Sequence, residues 1–435
     1  MLFLYNLILV VAIGCLCPIW IPLVSLREKY RATVINRLAM APISHNTNRL
    51  LSADTTCRRW IHALSVGEVM SAQPLVRHLS KQVGPESLVF TASTYTGYRT
   101  ALQVMAPYVA AVRYFPYDLV FSVNRALRII RPHQVIIVET DIWPTFLMRL
   151  QQCKIPVILV NARLSDRSWR GYKRCRPLMA PLLAMFTRIC VQTELDRRRF
   201  LDVGAPDSKL VCVGNIKFDQ PPIRLSAGDQ RQLEARLNLP PGMPIWVAGS
   251  THAGEEAMLI SAYQRLRTAG GAPALVIAPR DPQRAVGICR RFQRAGLDAV
   301  LLKQAPDRDP PPRVVVIDRI GILRDLYTLA DITFVGGSLI NAGGHNPLEP
   351  ASVAKPILAG PYTGDFRWIY EVLETNAGMQ RVQDANELAD CLSTMLQNQQ
   401  QRARMGRQAF RVFRRHRGAV QRTVDVIDTL AIVPC

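Results

Sequence analysis

The chain of 435 residues contains no CxxC pair, and after Cys15 and Cys17 no two of its ten cysteines stand close together. That pattern excludes a metal knuckle and gives no support to a disulfide framework. Cys190 and Cys212 lie in apolar runs and read as small core residues of a reducing compartment. No phosphate-binding GxxxxGK[ST] loop, HExxH or GxSxG string occurs, and no GxGxxG comes after the first strand-like run. The commonest nucleotide-hydrolase, zinc-protease, serine-hydrolase and dinucleotide signatures are therefore missing. Low-complexity tracts and short repeats are absent too. Acidic residues are scarce: 33 Asp and Glu stand against 54 Lys and Arg, a net charge of +21. Such an excess calls for an anionic partner, whether nucleic acid, an anionic membrane or an acidic substrate.

What is present is a globular composition, 49% hydrophobic and 20% charged, on a chain long enough for two domains and an appendage. Residues 2–26 carry no charge and are succeeded by Arg27, Lys29 and Arg31. A bilayer is crossed by roughly 20 apolar residues in a helix. The segment lacks a basic start and a small-residue cleavage site, so it reads as an uncleaved anchor, kinked by Pro18 and Pro22. Its basic flank places the rest of the chain in the cytoplasm.

Beyond it, short Val/Ile-rich runs alternate with helix-length stretches. They fall at 59–64, 88–92, 112–115, 134–138, 156–160 and 189–191, then at 245–248, 274–277, 314–317, 332–335 and 356–358. Nearly continuous apolar runs of that length suit strands covered on both faces, the mark of parallel α/β sheets. We expect an α/β protein: an anchor over 1–27, one Rossmann-like domain over 28–220, a second over 221–400, and a basic helical tail over 401–435. Two such domains would face each other across a cleft, with ligands at the C-terminal ends of the strands.

Several strand-to-helix turns carry chemistry. In Trp60-Ile61-His62-Ala63-Leu64-Ser65-Val66-Gly67-Glu68 a strand passes through a turn into a helix whose first turn holds Glu68. A carboxylate there is a candidate general base, or merely a charge favoured by the helix dipole. Glu139 ends another run on the same expected rim, and Arg163, Arg167, Arg170, Lys173 and Arg174 form a basic loop after 156–160. In the second half, Gly336-Gly337-Ser338 and Gly343-Gly344-His345-Asn346-Pro347-Leu348-Glu349 end a run and open a helix, an arrangement suited to phosphate. Glu349 there could accept two sugar hydroxyls. Gly249-Ser250-Thr251-His252 forms a similar turn, and Pro279-Arg280-Asp281-Pro282 ends the next run.

These strings together resemble the bacterial 3-deoxy-D-manno-octulosonic acid (Kdo) transferases of lipopolysaccharide synthesis. The resemblance is carried by WIHALSVGE (60–68), TASTYTGYRTA (91–101), YFPYD (114–118), ETDIWP (139–144), NARLSDRS (161–168), GNIKFD (214–219), GSTHAGEE (249–256), PRDP (279–282) and FVGGSLINAGGHNPLEP (334–350), in one order along the chain. It implies a GT-B fold, CMP-Kdo as donor, the lipid A precursor lipid IVA as acceptor, and inversion at the anomeric carbon without cofactor or metal. Glu68 then resembles the family's proton acceptor, and Glu139 and Lys217 its transition-state stabilisers. Pro279 and Arg280, Gly321, Ile322 and Leu323, and Asn346, Pro347, Leu348 and Glu349 resemble its CMP contacts. The chain departs from the family at Asp281, where a His is usual, and at Ile322, where a Glu is usual. The only Asp-x-Asp string, Asp307-Arg308-Asp309, lies in a Pro-rich stretch and reads as surface.

On this reading the partners are the donor, the lipid acceptor and the anionic face of the inner membrane, with the catalytic domains on its cytoplasmic side. Three alternatives remain open to the residues alone. A UDP-sugar transferase of the same fold would differ in the nucleotide. A nucleotide-sugar epimerase would need no anchor. A nucleic-acid binder would use the charge but leave the glycine turns and Glu68 without a role.

Overall fold

In the computed structural model the described residues are 33–34, 36–38, 58–220, 223 and 225–430. The expected anchor over 1–27 lies outside them. Among the described residues no helix is long and apolar enough to cross a membrane.

The chain forms two compact units, one of residues up to 220 together with 417 onward, the other of residues 221–416. The first holds a seven-stranded sheet of β1 (Arg58–Ala63), β2 (Leu88–Ala92), β3 (Ala111–Tyr114), β4 (Pro132–Val138), β5 (Val157–Ala162), β6 (Arg188–Val191) and β7 (Leu210–Cys212) in the order 3-2-1-4-5-6-7. The second holds β8 (Ile245–Thr251), β9 (Ala274–Pro279), β10 (Ala299–Leu301), β11 (Val314–Val316), β12 (Ile332–Val335), β13 (Ile357–Ala359) and β14 (Met379–Arg381) in the order 10-11-9-8-12-13-14. Every pairing is parallel. Central strands such as β1, β2 and β9 are buried along their whole length, which is why they read as unbroken apolar runs.

Each sheet is wound in two directions from its central strand. In the first unit the chain leaves β1 toward β2 and β3, then returns to add β4 on the opposite side. In the second it leaves β8 toward β9 and later adds β12 on the other side. Loops that diverge at such a switch point leave a crevice at the C-terminal strand ends, where ligands of open α/β sheets bind.

Aromatic packing anchors the first sheet at this point. Trp60 of β1 meets Phe146 edge-on at 5.0 Å, and Phe115 meets Phe146 at 4.9 Å. The YFPYD string owes its Asp to a cap. Buried Asp118 accepts from the Thr145 and Phe146 amides at 3.0 and 2.8 Å, at the start of helix Pro144–Gln152. Asp118→Ala should cost about 1–2 kcal/mol of stability in urea unfolding, the usual loss for a capping carboxylate; an unchanged midpoint would deny the cap that role.

The arginine-dense stretch 399–422 divides between the units. Helix Gln399–Arg415 lays Gly406, Ala409, Val412 and Phe413 inward and keeps Arg404, Arg407, Arg411 and Arg414 outward. Gly406 is required there, because a Cβ would stand 1.9 Å from the Ala354 carbonyl oxygen. Helix Ala419–Thr429 instead packs Ala419, Val420, Val424 and Ile427 against the first sheet's core. Asp219, from GNIKFD, accepts from the Gly418 and Val420 amides at 2.6 Å each and so seats that helix.

Candidate active site

The switch point of the first sheet gathers the ends of β1, β4 and β5. Beyond β1 the chain turns at Leu64 and Ser65 into helix Val66–Val83, and Glu68 lies in its first turn. The carboxylate folds back onto its own loop: Oε2 accepts from the Leu64 amide at 2.5 Å and Oε1 from the Ser65 hydroxyl at 3.3 Å. Burial first, and the charge of Glu139 second, push its pKa up to about 7, against the pull of the Leu64 N–H. At neutral pH such a group both takes and gives a proton readily.

Glu139 comes just after β4 with φ of +62°, a conformation that costs energy for a residue with a side chain. Its carboxylate meets Lys217 Nζ at 3.0 Å and Arg163 Nε at 3.8 Å. Burial alone would raise its pKa, but Lys217 and then Arg163 outweigh burial and hold it below the ordinary range. Two carboxyls at one crevice are thus driven apart, one kept ionised and one poised near neutrality.

Lys217 is buried in the short turn Ile216–Asp219 and is aimed by a relay of amides. Its own N–H donates to Asn215 Oδ1 at 2.9 Å, Asn215 Nδ2 donates to Gln192 Oε1 at 2.9 Å, and Gln192 Nε2 donates to the Asn161 carbonyl at 2.9 Å. Asn161 Oδ1 in turn accepts from the Ile216 amide at 3.2 Å. Asn161 too has positive φ, +56°. The strings NARLSDRS and GNIKFD therefore meet because the ends of β5, β6 and β7 lie side by side.

His62 is not singled out by the sequence. It is fully buried on β1, stacks on Phe115 at 3.8 Å, and places Nε2 3.0 Å from Asp141 Oδ2. Nδ1 lies 3.1 Å from Thr91 Oγ1, which accepts from Trp60 Nε1 at 2.8 Å. A spacing of 79 residues between His62 and Asp141 gives no local signal; only the pairing of β1 with β4 joins them. The basic segment after β5 is a helix rather than a loop, Asp166–Arg174, because Ser165 caps it by accepting from the Ser168 amide at 3.1 Å.

In the second unit the loops after β8 and β12 meet at that sheet's switch point. The amides of the glycine turn are already taken. Buried Glu255 accepts from Gly337 and His252 through Oε2 at 2.8 and 2.9 Å, and from Ser338 and Leu339 through Oε1 at 3.0 Å each. The Gly336–Ser338 turn, expected to cradle phosphate, is thus stitched to the helix after β8. At the rim Arg280, just after β9, is exposed, Asn346 and Glu349 are partly exposed, and Pro347 and Leu348 are buried between them. Asn346 Oδ1 accepts from the Leu348 amide at 3.1 Å, just ahead of helix Leu348–Ser352, whose N-cap position is Pro347 and not the expected Asn346. Glu349 has its pKa raised by burial, against the charges of Arg324 and Arg280. Pro279 and Arg280 close β9, and the Arg280 amide donates to the Thr251 carbonyl at 3.0 Å.

Both departures from the family pattern have local reasons. Asp281 Oδ1 accepts from the Gln283 amide at 3.0 Å, capping the turn Pro282–Arg284. Ile322 packs against the core beside Leu323 at the start of helix Leu323–Leu329, where a glutamate side chain would not fit that apolar contact. Among the described residues no three His, Cys, Asp or Glu side chains cluster as a metal site requires.

Residues 34–220 match the family described as 3-deoxy-D-manno-octulosonic-acid transferase (kdotransferase). The Haemophilus influenzae 3-deoxy-D-manno-octulosonic acid transferase is 32% identical over 377 residues, 85% of this chain and 86% of that protein. The chain belongs to the Kdo transferase family. The Bordetella pertussis member is 29% identical over 378 residues, again 85% of this chain and 86% of its own length. Among solved structures, a Rickettsia africae glycosyltransferase matches with TM-score 0.58 at 9% identity, over 87% of this chain and 100% of that one. A Neisseria meningitidis UDP-GlcNAc 2-epimerase bound to UDP-GlcNAc matches with TM-score 0.57 at 13% identity, over 86% and 99%. At such identities the likeness is one of fold, a GT-B-like α/β architecture that serves transferase and epimerase alike. Membership of the Kdo transferase family decides between those classes: the protein is a glycosyltransferase.

Proposed function

We propose that this Kdo transferase moves Kdo from CMP-Kdo onto the lipid A precursor lipid IVA, with inversion at the anomeric carbon and without a metal. Glu68 is the general base. The observation that carries this reading is its position and acidity: a carboxyl at the sheet's switch point, raised to about 7 and beside a second carboxyl kept ionised. The acceptor hydroxyl loses its proton to Glu68 as its oxygen attacks the anomeric carbon. The bond from that carbon to the CMP phosphate breaks on the opposite face, and its electron pair leaves with the phosphate. Glu139, held anionic by Lys217, offsets the positive charge that develops on the sugar. Pro279 and Arg280, Gly321 to Leu323, and Asn346 to Glu349 hold the nucleotide.

The uncharged stretch 2–26 with its basic flank supports an inner-membrane anchor, both units lying on the cytoplasmic side where a lipid acceptor is within reach. The net charge of +21 suits anionic lipid phosphates and an acidic sugar. The purified protein, incubated with CMP-Kdo and lipid IVA, should yield products heavier by whole Kdo increments in mass spectrometry, and CMP should inhibit far better than UDP. Transfer from a UDP-sugar instead, with UDP the better inhibitor, would replace this reading.

A further inference from the structure

At the switch point of the second sheet two imidazoles face each other. His252 stands after β8 and His345 after the glycine loop beyond β12, and their Nε2 atoms are 2.7 Å apart. The rings are near parallel, with centroids 5.0 Å apart. Gly337 lies against both: a Cβ on it would stand 3.1 Å from the His345 ring and 3.5 Å from the His252 ring. Two N–H groups cannot share that distance, so one hydrogen sits between the nitrogens, one ring donating and the other accepting. The pair is built by two loops that meet only here, and each is fixed from behind. The His252 amide donates to Glu255, and the His345 carbonyl accepts from Tyr370 Oη at 2.7 Å.

We propose that the His252–His345 pair binds the phosphate of the nucleotide as a monocation and gives its proton to that phosphate when the sugar departs. The proposal rests on the reading of these loops as the donor site. A pair that shares one hydrogen takes up one further proton without losing its internal bond; a second would place two cations in contact. Of the charged groups facing it from the surrounding elements, Arg280 acts in the same sense. Arg280 disfavours a positive charge on His345, and Glu255 is committed to four backbone amides. Asp365 flanks Gly343, and Glu349 lies on the next helix, within reach of the Arg280 charge. Burial, then Arg280, then His252 lower the pKa of His345 to about 4, so the unliganded pair does not become a dication near neutrality. An arriving phosphate reverses the balance by supplying negative charge beside Arg280.

In the transfer step the electron pair of the broken carbon–oxygen bond stays on the phosphate oxygen, which takes the proton held by the pair. The acceptor's proton goes to Glu68. That transfer leaves the pair neutral; the protonated CMP departs and loses its proton to water, Glu68 gives up its own proton likewise, and the pair takes a new proton from water when the next donor binds. No other reactant is consumed.

The test is calorimetry of CMP binding to the full chain in detergent, at pH 7.5, in two buffers of different ionisation enthalpy. We expect uptake of about one proton per CMP bound, none with cytidine, which lacks the phosphate, and none with CMP in His252→Gln or His345→Gln. Histidine-labelled wild-type protein, observed by NMR, should show the signals of two of its seven imidazoles shifting together on CMP addition, with one proton gained between them, which assigns the proton even where a variant folds poorly. Binding of CMP without proton uptake, or uptake that persists in both variants, overturns the proposal. Failure of the wild type to bind CMP at all overturns instead the assignment of these loops to a cytidine nucleotide.

Discussion

Glu68→Gln should abolish sugar transfer, lowering kcat by roughly a hundred- to ten-thousand-fold, the usual contribution of a general base. CMP should bind as before, because Glu68 belongs to the first sheet and the loops proposed to hold the nucleotide belong to the second. The wild-type kcat/KM should rise with pH through about 7 and then level, tracking ionisation of Glu68. The same substitution should change stability in the opposite sense. A carboxyl with a folded pKa of about 7 and an ordinary value of 4.5 is easier to ionise in the unfolded chain. Its neutral form favours the fold fully below about 4.5, and that contribution is lost as pH rises through 7. Above pH 7 the wild type carries the full penalty, on the order of 3 kcal/mol by linkage. Glu68→Gln removes it and should melt higher than wild type at pH 8, with the difference shrinking toward pH 5. Thermal unfolding across that range checks the sign. A variant that transfers Kdo normally, or a difference independent of pH, would sink the assignment of base and acidity together.

The acidity of Glu68 is not legible in the sequence. A carboxylate in the first turn of a helix is ordinarily favoured as an anion by the helix dipole. Here burial and the charge of Glu139 prevail. Neither can be inferred from a local string, because Glu139 arrives from β4, 71 positions away. The strings themselves are legible, and so is the alternation of strand and helix that makes two parallel sheets. The apolar runs miss β7, β10 and β14, three-residue strands on the sheet edges, where no long apolar segment forms. The glycine turn shows a different gap. Glycine spacing suggests open amides, yet the carboxylate that fills them, Glu255, stands after another strand. In the same way His62 with Asp141, and His252 with His345, become visible only when sheet order brings distant loops together.

The second large effect is expected at Lys217. Lys217→Met strands the Glu139 carboxylate, buried and held below its ordinary pKa by that lysine first and by Arg163 second. Removing one partner of a buried ion pair typically costs about 3–5 kcal/mol, since the remaining charge must stay unpaired or neutralise. Arg163, 3.8 Å away and on the more exposed side, offsets only part of this. The double variant Lys217→Met, Glu139→Gln removes both charges and should recover most of the lost stability in urea unfolding, a strong positive coupling in a double-mutant cycle. Transfer should be lost in the single and the double variant alike, since the proposed mechanism uses the anion at position 139, seated by Lys217, to stabilise the cationic sugar. The pH dependence separates packing from charge. With Glu139 neutral, Glu68 loses a repelling neighbour, so its pKa should fall from about 7 and the high-pH penalty on stability should shrink. Additive stability losses, or an unmoved Glu68 titration in the double variant, would show that the two carboxyls are not coupled through charge and would leave Glu139 as a packing residue at a strained turn.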